Sequence, residues 1–166
     1  DSRGAVVAEA GLELDALLEH KAGGASVTDF AGGRSISGDA LLDVDCDIFV
    51  PAARPDVIRA DNVDRVTARL ILSGANIPVT LEAERVLHDR GVLVVPDFIA
   101  NAGGVICASV EYHGGTATQT FGVIEEKIRA NTTTVLADAS ESGEPPRHAV
   151  QSMAERRVRR AMSLRR

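Results

Sequence analysis

Two asparagines are placed by type and position to grip a polar ligand. Asn76 stands just past the apolar run Leu70-Ile71-Leu72, and Asn101 lies a few residues beyond Val92-Leu93-Val94-Val95. A carboxamide carries both a donor and an acceptor, so each can hold hydroxyls or amides of a bound molecule. Each also has a plainer reading. Asn76 would serve as a turn residue at an unusual backbone angle, and Asn101 as the N-cap of a helix. Groups suited to metal or redox chemistry are not assembled by spacing. His20, His88, His113 and His148 are scattered, and Cys46 and Cys107 form neither a CxxC pair nor a metal cluster. No metal site is expected, and a reducing, cytoplasmic compartment is the simplest reading.

The elements that must position these residues follow from hydrophobic pattern. Ile48-Phe49-Val50, Leu70-Ile71-Leu72 and Val92-Leu93-Val94-Val95 are short, β-branched-rich runs, broken by Pro51, Gly74 and Pro96. Unbroken runs of this length suit strands buried on both faces of a parallel sheet. Helices are predicted around them. Leu14 to Lys21 gathers Leu14, Leu17 and Leu18 on one face. Ser37 caps a short turn through Leu42, and Thr80 caps Leu81 to Asp89, with Gly91 beyond its end. Ala102 to Tyr112 and Thr118 to Ala139 follow, then a loop, then a final helix opened by Pro146. Strands alternating with helices imply right-handed crossovers and an open α/β sheet. Ligands of such sheets bind beyond the carboxyl ends of the strands. Pro51-Ala52-Ala53, Gly74-Ala75-Asn76 and Asp97 to Gly104 should therefore line one crevice, with small residues that admit a ligand to the backbone.

Composition narrows the partners. The chain has 166 residues, 45% hydrophobic and 25% charged, enough for one domain with a sizeable core. Its formal net charge of −6 argues against nucleic acid. Arginines from Arg156 to Arg166 give a basic end, best read as a solvated helix face. No apolar run reaches the roughly 20 residues a membrane span needs, so no membrane partner is expected. The start carries neither an initiator Met nor a signal peptide, which suggests a piece of a longer protein or a processed chain.

The three segments past the strands also carry a resemblance. Asp47-Ile48-Phe49-Val50-Pro51-Ala52-Ala53, Ala75-Asn76-Ile77-Pro78-Val79-Thr80 and Val95-Pro96-Asp97-Phe98-Ile99-Ala100-Asn101-Ala102-Gly103-Gly104-Val105 resemble motifs of the Glu/Leu/Phe/Val dehydrogenases. Asp1-Ser2-Arg3-Gly4 is similar to the segment following the second strand of that family's nucleotide fold. The matches run in order along nearly the whole chain. They imply a Rossmann-like, doubly wound parallel sheet, incomplete at its N-terminus, with C-terminal helices. Residues 1–166 would form part of a dinucleotide-binding domain, with 1–112 as sheet-and-helix core and 113–166 as C-terminal helices.

The resemblance further implies oxidative deamination of an L-amino acid to a 2-oxo acid and ammonia, with NAD or NADP as cofactor. Glutamate leads as substrate, with leucine, valine or phenylalanine as alternatives. A non-catalytic nucleotide-binding module is the rival class. A homo-oligomeric parent is implied, with the substrate held through a further domain. Asp1 is implied to contact the adenosine ribose, although Ser2 and Arg3 would instead suit a 2′-phosphate. Ala52, Ala53, Ala75, Asn76 and Asn101 would line the cofactor site, with Asn76 near the nicotinamide ribose. Ala108 aligns with a substrate-contacting position, where glutamate-specific members carry Ser. Ser109 falls one step later, about 100° around a helix. No GxGxxG occurs, and neither Lys21 nor Lys127 sits in a segment like the family's catalytic lysine motifs. No catalytic residue is expected in this chain, which should be inactive alone.

Overall fold

A computed structural model describes residues 1–164, so Arg165 and Arg166 of the basic end lie outside the described residues. Internal contacts divide the chain into two units. One comprises Asp1–Asp45 with Arg65–Thr67, the other Cys46–Asp64 with Ala68 onward.

In the first unit, β1 (Ala5–Val7) pairs antiparallel with β2 (Arg34–Ile36), and α1 (Leu14–Ala22) lies between them in sequence. Neither strand is evident from the sequence, because three-residue strands are too short to establish a period. Gly4 explains how β1 starts beside β2: a Cβ there would sit 2.6 Å from the Ile36 carbonyl oxygen. α1 forms over nearly its predicted span, but the expected buried face does not. Leu14 and Leu18 are 66% and 67% exposed, since no element of this small unit covers them. A 3₁₀ turn over Asp39–Asp43 follows, with Ser37 Oγ accepting from Ala40 N at 3.2 Å. Arg65 ties this turn down, reaching Asp39 and Asp43 at 2.8 Å each.

The second unit is the predicted parallel sheet. Its strands β3 (Ile48–Phe49), β4 (Leu70–Leu72) and β5 (Leu93–Val95) lie in sequence order, all parallel. α2 (Leu81–Asp89) is the crossover between β4 and β5 and packs on β5. Thr80 caps it as expected, its hydroxyl accepting from Ala83 N at 3.3 Å. The alternation of side chains along a strand divides the buried residues. Leu70, Leu72 and Val95 pack with Val135, Ala139, Ala149, Val150 and Met153 of the C-terminal helices. Ile71 and Val94, buried as well, therefore turn to the opposite face. β3 has no second neighbour among the described residues, and Ile48 and Val50 stay exposed along it.

Beyond the sheet come α3 (Asp97–Ala100), α4 (Gly103–Tyr112), α5 (Ala117–Ser142) and α6 (Pro146–Ser163). Pro96 ends β5 as expected and also supplies the extended residue before the short helix α3, which the sequence reading did not anticipate. α5 starts one residue earlier than expected, at a capping box of Thr116 and Gln119.

Two predictions follow from these contacts. A Cβ on Gly74 would lie 2.9 Å from Ala52 Cβ and 3.3 Å from its Cα, so the ends of β3 and β4 meet only without one. Gly74→Ala should cost about 1–3 kcal/mol in urea unfolding, and adding Ala52→Gly should recover part of it. In the first unit, hydrogen bonding to Arg65, aided by its charge, holds the Asp43 carboxyl below the ordinary carboxylate range. The stabilisation it brings is present above that range and is lost as pH falls through the lowered value. In a carboxyl NMR titration, Arg65→Gln should move the Asp43 midpoint upward; an unchanged midpoint would refute the pairing.

Candidate functional site

The carboxyl ends of β3, β4 and β5 deliver three loops to one edge of the second unit. Ala75 N donates to Pro51 O at 2.9 Å, and Ser73 N donates to Val95 O at 3.2 Å, so the loops leave in register. Ala52 and Ala53 are exposed on the first loop, with Ala52 against Gly74. Ala75 is half-buried and Asn76 exposed on the second.

Asn101, on the third loop, reaches across to the second. Its Nδ2 donates to Asn76 Oδ1 at 2.8 Å and lies 3.4 Å from Gly74 O. The N-cap reading of Asn101 is therefore corrected. Ala102 holds the N-cap position of α4, and the Asn101 amide is spent on Asn76 instead. The pair leaves Asn76 Nδ2 and Asn101 Oδ1 without partners among the described residues. One donor and one acceptor side by side match the needs of ribose hydroxyls or a carboxamide.

Behind this pair lies a group of buried charges that the sequence reading did not single out. Asp97 Oδ2 accepts from Ile77 N at 3.0 Å, and Asp97 O accepts from Asn101 N at 2.8 Å. Ile77 needs such a hold. Its φ is +50°, a conformation costing a β-branched residue about 1–3 kcal/mol. The residue is 57% exposed, so packing does not offset that strain. The other Asp97 oxygen faces Arg147 Nη2 at 3.5 Å, and Arg147 Nε donates to Glu84 Oε2. The guanidinium also sits 5.1 Å from the centre of the Phe98 ring. The Glu84 side chain is buried, 3% exposed, and that of Arg147 is 12% exposed. The signal was present in the sequence as an acid directly after Pro96 and an arginine directly after Pro146, but their pairing spans 50 residues of chain.

Asp1 is in the first unit and is already well supplied with donors. Oδ1 accepts from Arg3 N at 3.1 Å and Ser26 Oγ at 3.0 Å; Oδ2 accepts from Lys21 Nζ at 2.9 Å and Val27 N at 3.1 Å. These fill the roughly four lone-pair sites of a carboxylate. Lys21, which matched no catalytic motif, is thus the counter-ion of Asp1. Ser2 is exposed beside it. On α4, Ala108 and Ser109 are exposed and Cys107 is half-buried and free. Among the described residues no group of three or more His, Cys, Asp or Glu is placed to hold a metal ion, and no helix is long and apolar enough to cross a membrane.

Comparison with known proteins gives this geometry a lineage. The glutamate dehydrogenase of Aeropyrum pernix is 38% identical over 175 residues, covering 99% of this chain and 42% of that protein. The NADP-specific glutamate dehydrogenase of Saccharolobus shibatae is 39% identical over 112 residues, 68% of this chain and 26% of the relative. The chain thus spans less than half the length of these curated relatives. Among solved structures, the hetero-hexameric glutamate dehydrogenase of Thermus thermophilus in its Leu-bound form superposes with a TM-score of 0.82. That match covers 99% of this chain and 40% of the other at 23% identity, and it speaks to the fold alone. The family model for Glutamate/Leucine/Phenylalanine/Valine dehydrogenase matches residues 1–166. The whole of this chain belongs to the Glutamate/Leucine/Phenylalanine/Valine dehydrogenase family.

Proposed function

We propose that the chain is the dinucleotide-binding portion of an NAD(P)-dependent L-amino-acid dehydrogenase, acting on glutamate. The observation that carries this reading is the Asn76–Asn101 pair, which leaves a free donor and acceptor at the carboxyl edge of a parallel sheet. Family membership and the names of the curated relatives support it.

In the proposed reaction an L-amino acid and water yield a 2-oxo acid and ammonium, and the bound dinucleotide supplies the hydride acceptor. The residues of this chain bind and orient. Asn76 Nδ2 and Asn101 Oδ1 hold the nicotinamide ribose or its carboxamide, and their mutual hydrogen bond fixes both rotamers. Ala52, Ala53 and Ala75 admit the cofactor to the backbone without steric hindrance. Asp1 and Ser2 meet the adenosine ribose. Because the Asp1 carboxylate is already saturated, a ribose hydroxyl must displace one of its present donors there. Lys21 and Arg3 beside it make room for NADP as well as NAD. Ala108 lines the amino-acid side. It offers contact without a hydrogen bond, which keeps a leucine, valine or phenylalanine substrate as the second reading.

The proton-transferring groups and the rest of the amino-acid site belong to the remainder of the parent, which is a homo-oligomer in this reading. Hydride transfer needs cofactor and amino acid held together. The full-length parent should therefore form NAD(P)H with L-glutamate, whereas the pure 166-residue chain should form none with any L-amino acid. Turnover by the chain alone would refute the division of labour, and a parent inactive with all L-amino acids would refute the function. The chain alone should also bind dinucleotide more weakly than about 1 mM, which is only roughly 4 kcal/mol. Micromolar affinity in calorimetry would contradict that.

A further inference from the structure

We infer that Arg147 is a positioning residue for the dinucleotide-binding loop, acting from the first turn of the C-terminal helix α6 through Asp97 and Ile77 on the Asn76 amide. The inference rests on the proposed role of Asn76 and Asn101, but the chain of contacts is independent of it. Arg147 Nη2 lies 3.5 Å from Asp97 Oδ1, Asp97 Oδ2 takes the Ile77 N–H at 3.0 Å, and Asn101 Nδ2 donates to Asn76 Oδ1 at 2.8 Å. Asp97 frames the ligand-binding pair from both ends, since its carbonyl also accepts from Asn101 N.

Three features make this a directed linkage rather than general packing. First, Ile77 is exposed on its side chain and strained in its backbone, so the hydrogen bonds of its peptide hold it. Asp56 N donates to Ile77 O at 2.9 Å, and Asp97 holds the N–H side. Release of the N–H lets φ relax to the ordinary negative range, and the turn swings Asn76 away from Asn101. Second, Asp97 Oδ1 is buried with no hydrogen-bond donor, and the Arg147 guanidinium at 3.5 Å is the cation that faces it, while Oδ2 is left to hold Ile77 N. Third, a guanidinium alone has the shape for the task. It bridges Glu84 and Asp97 with separate nitrogens while its face meets Phe98. A lysine ammonium, a point charge on a flexible stem, matches neither the bridge nor the stacking.

The test uses the full-length parent. Hydrogen exchange read at single-residue resolution should show the Ile77 amide protected in the unaltered protein; exchange at the rate of a free loop overturns the linkage without any variant. Arg147→Met should expose that amide and raise the KM for dinucleotide about tenfold, below the roughly hundredfold cost of a full 1 Å misplacement. The KM for the amino acid should stay unchanged. Arg147→Lys should give the same direction with a smaller rise. Glu84→Leu combined with Arg147→Met separates positioning from stability, because an apolar pair can replace a buried ion pair without loss of folding. In that double variant Tm should recover in part, because the Glu84 charge is gone but the buried Asp97 still lacks its cation, while the dinucleotide KM stays raised for the same reason. If KM returns together with Tm, Arg147 is merely structural and the inference falls. Should Arg147→Met fail to fold, Asp97→Asn reads the same link, and an unaltered dinucleotide KM there overturns it. Arg156→Ala, on the same helix but paired with Asp138, should change neither readout. A parent that binds no dinucleotide would refute the proposed function, and the Ile77 exchange rate would still decide the linkage.

Discussion

Parallel pairing of three strands is the constraint on which the second unit depends. Parallel strands cannot be joined by tight hairpins, so the chain must cross over between them, and α2 is such a crossover. The same pairing sends every strand's carboxyl end to one edge. Three segments far apart in sequence thereby become neighbours: Ala52, Gly74 to Ile77, and Asp97 to Asn101. β4 and β5 pack residues on both faces, Leu70, Leu72 and Val95 on one and Ile71 and Val94 on the other, which suits their unbroken apolar runs; β3, at the edge, leaves Ile48 exposed.

That edge is held by charge as well as by hydrogen bonding. Two carboxylates, Glu84 and Asp97, are buried around a single guanidinium. Ions removed from water are costly, and a pair stripped of one partner loses about 3–5 kcal/mol. A cluster of this kind is therefore poor as a stabiliser compared with apolar packing. What it supplies is geometry, because the guanidinium fixes where each carboxylate points. The strained Ile77 backbone beside it is the counterpart. Strain persists where surrounding bonds over-determine a conformation, and such places cluster at ligand sites.

The first unit works by a different economy. Its two strands are three residues each, and its helix buries no residue of its own. Beside the few buried residues Ala5, Leu42 and Val66, polar contacts tie it together: Lys21, Ser26 and Val27 gathered on Asp1, and Arg65 across Asp39 and Asp43. Exposed ion pairs each contribute little in water, typically up to about 1 kcal/mol. Such a unit is better suited to presenting a polar edge than to holding a rigid pocket.

The sequence by itself determined the strands of the parallel sheet, most of the helices and the family. Apolar runs ending in Pro51, Gly74 and Pro96 marked the strands, Thr80 and Pro146 marked helix starts, and the ordered motifs carried the resemblance. These signals are local, so they survive without coordinates. It failed where the outcome depended on distant neighbours. Leu14 and Leu18 have the spacing of a buried face, yet whether anything covers them is a property of the fold. Asn101 has the chemistry of an N-cap, yet its amide turns to Asn76 because parallel register brings the two loops within 2.8 Å. Asp97, Glu84 and Arg147 read as three unrelated charges, and only packing of α6 beside α2 and α3 makes them one cluster. Local propensity depends on a residue and its near neighbours, whereas burial and charge pairing depend on where the rest of the chain goes.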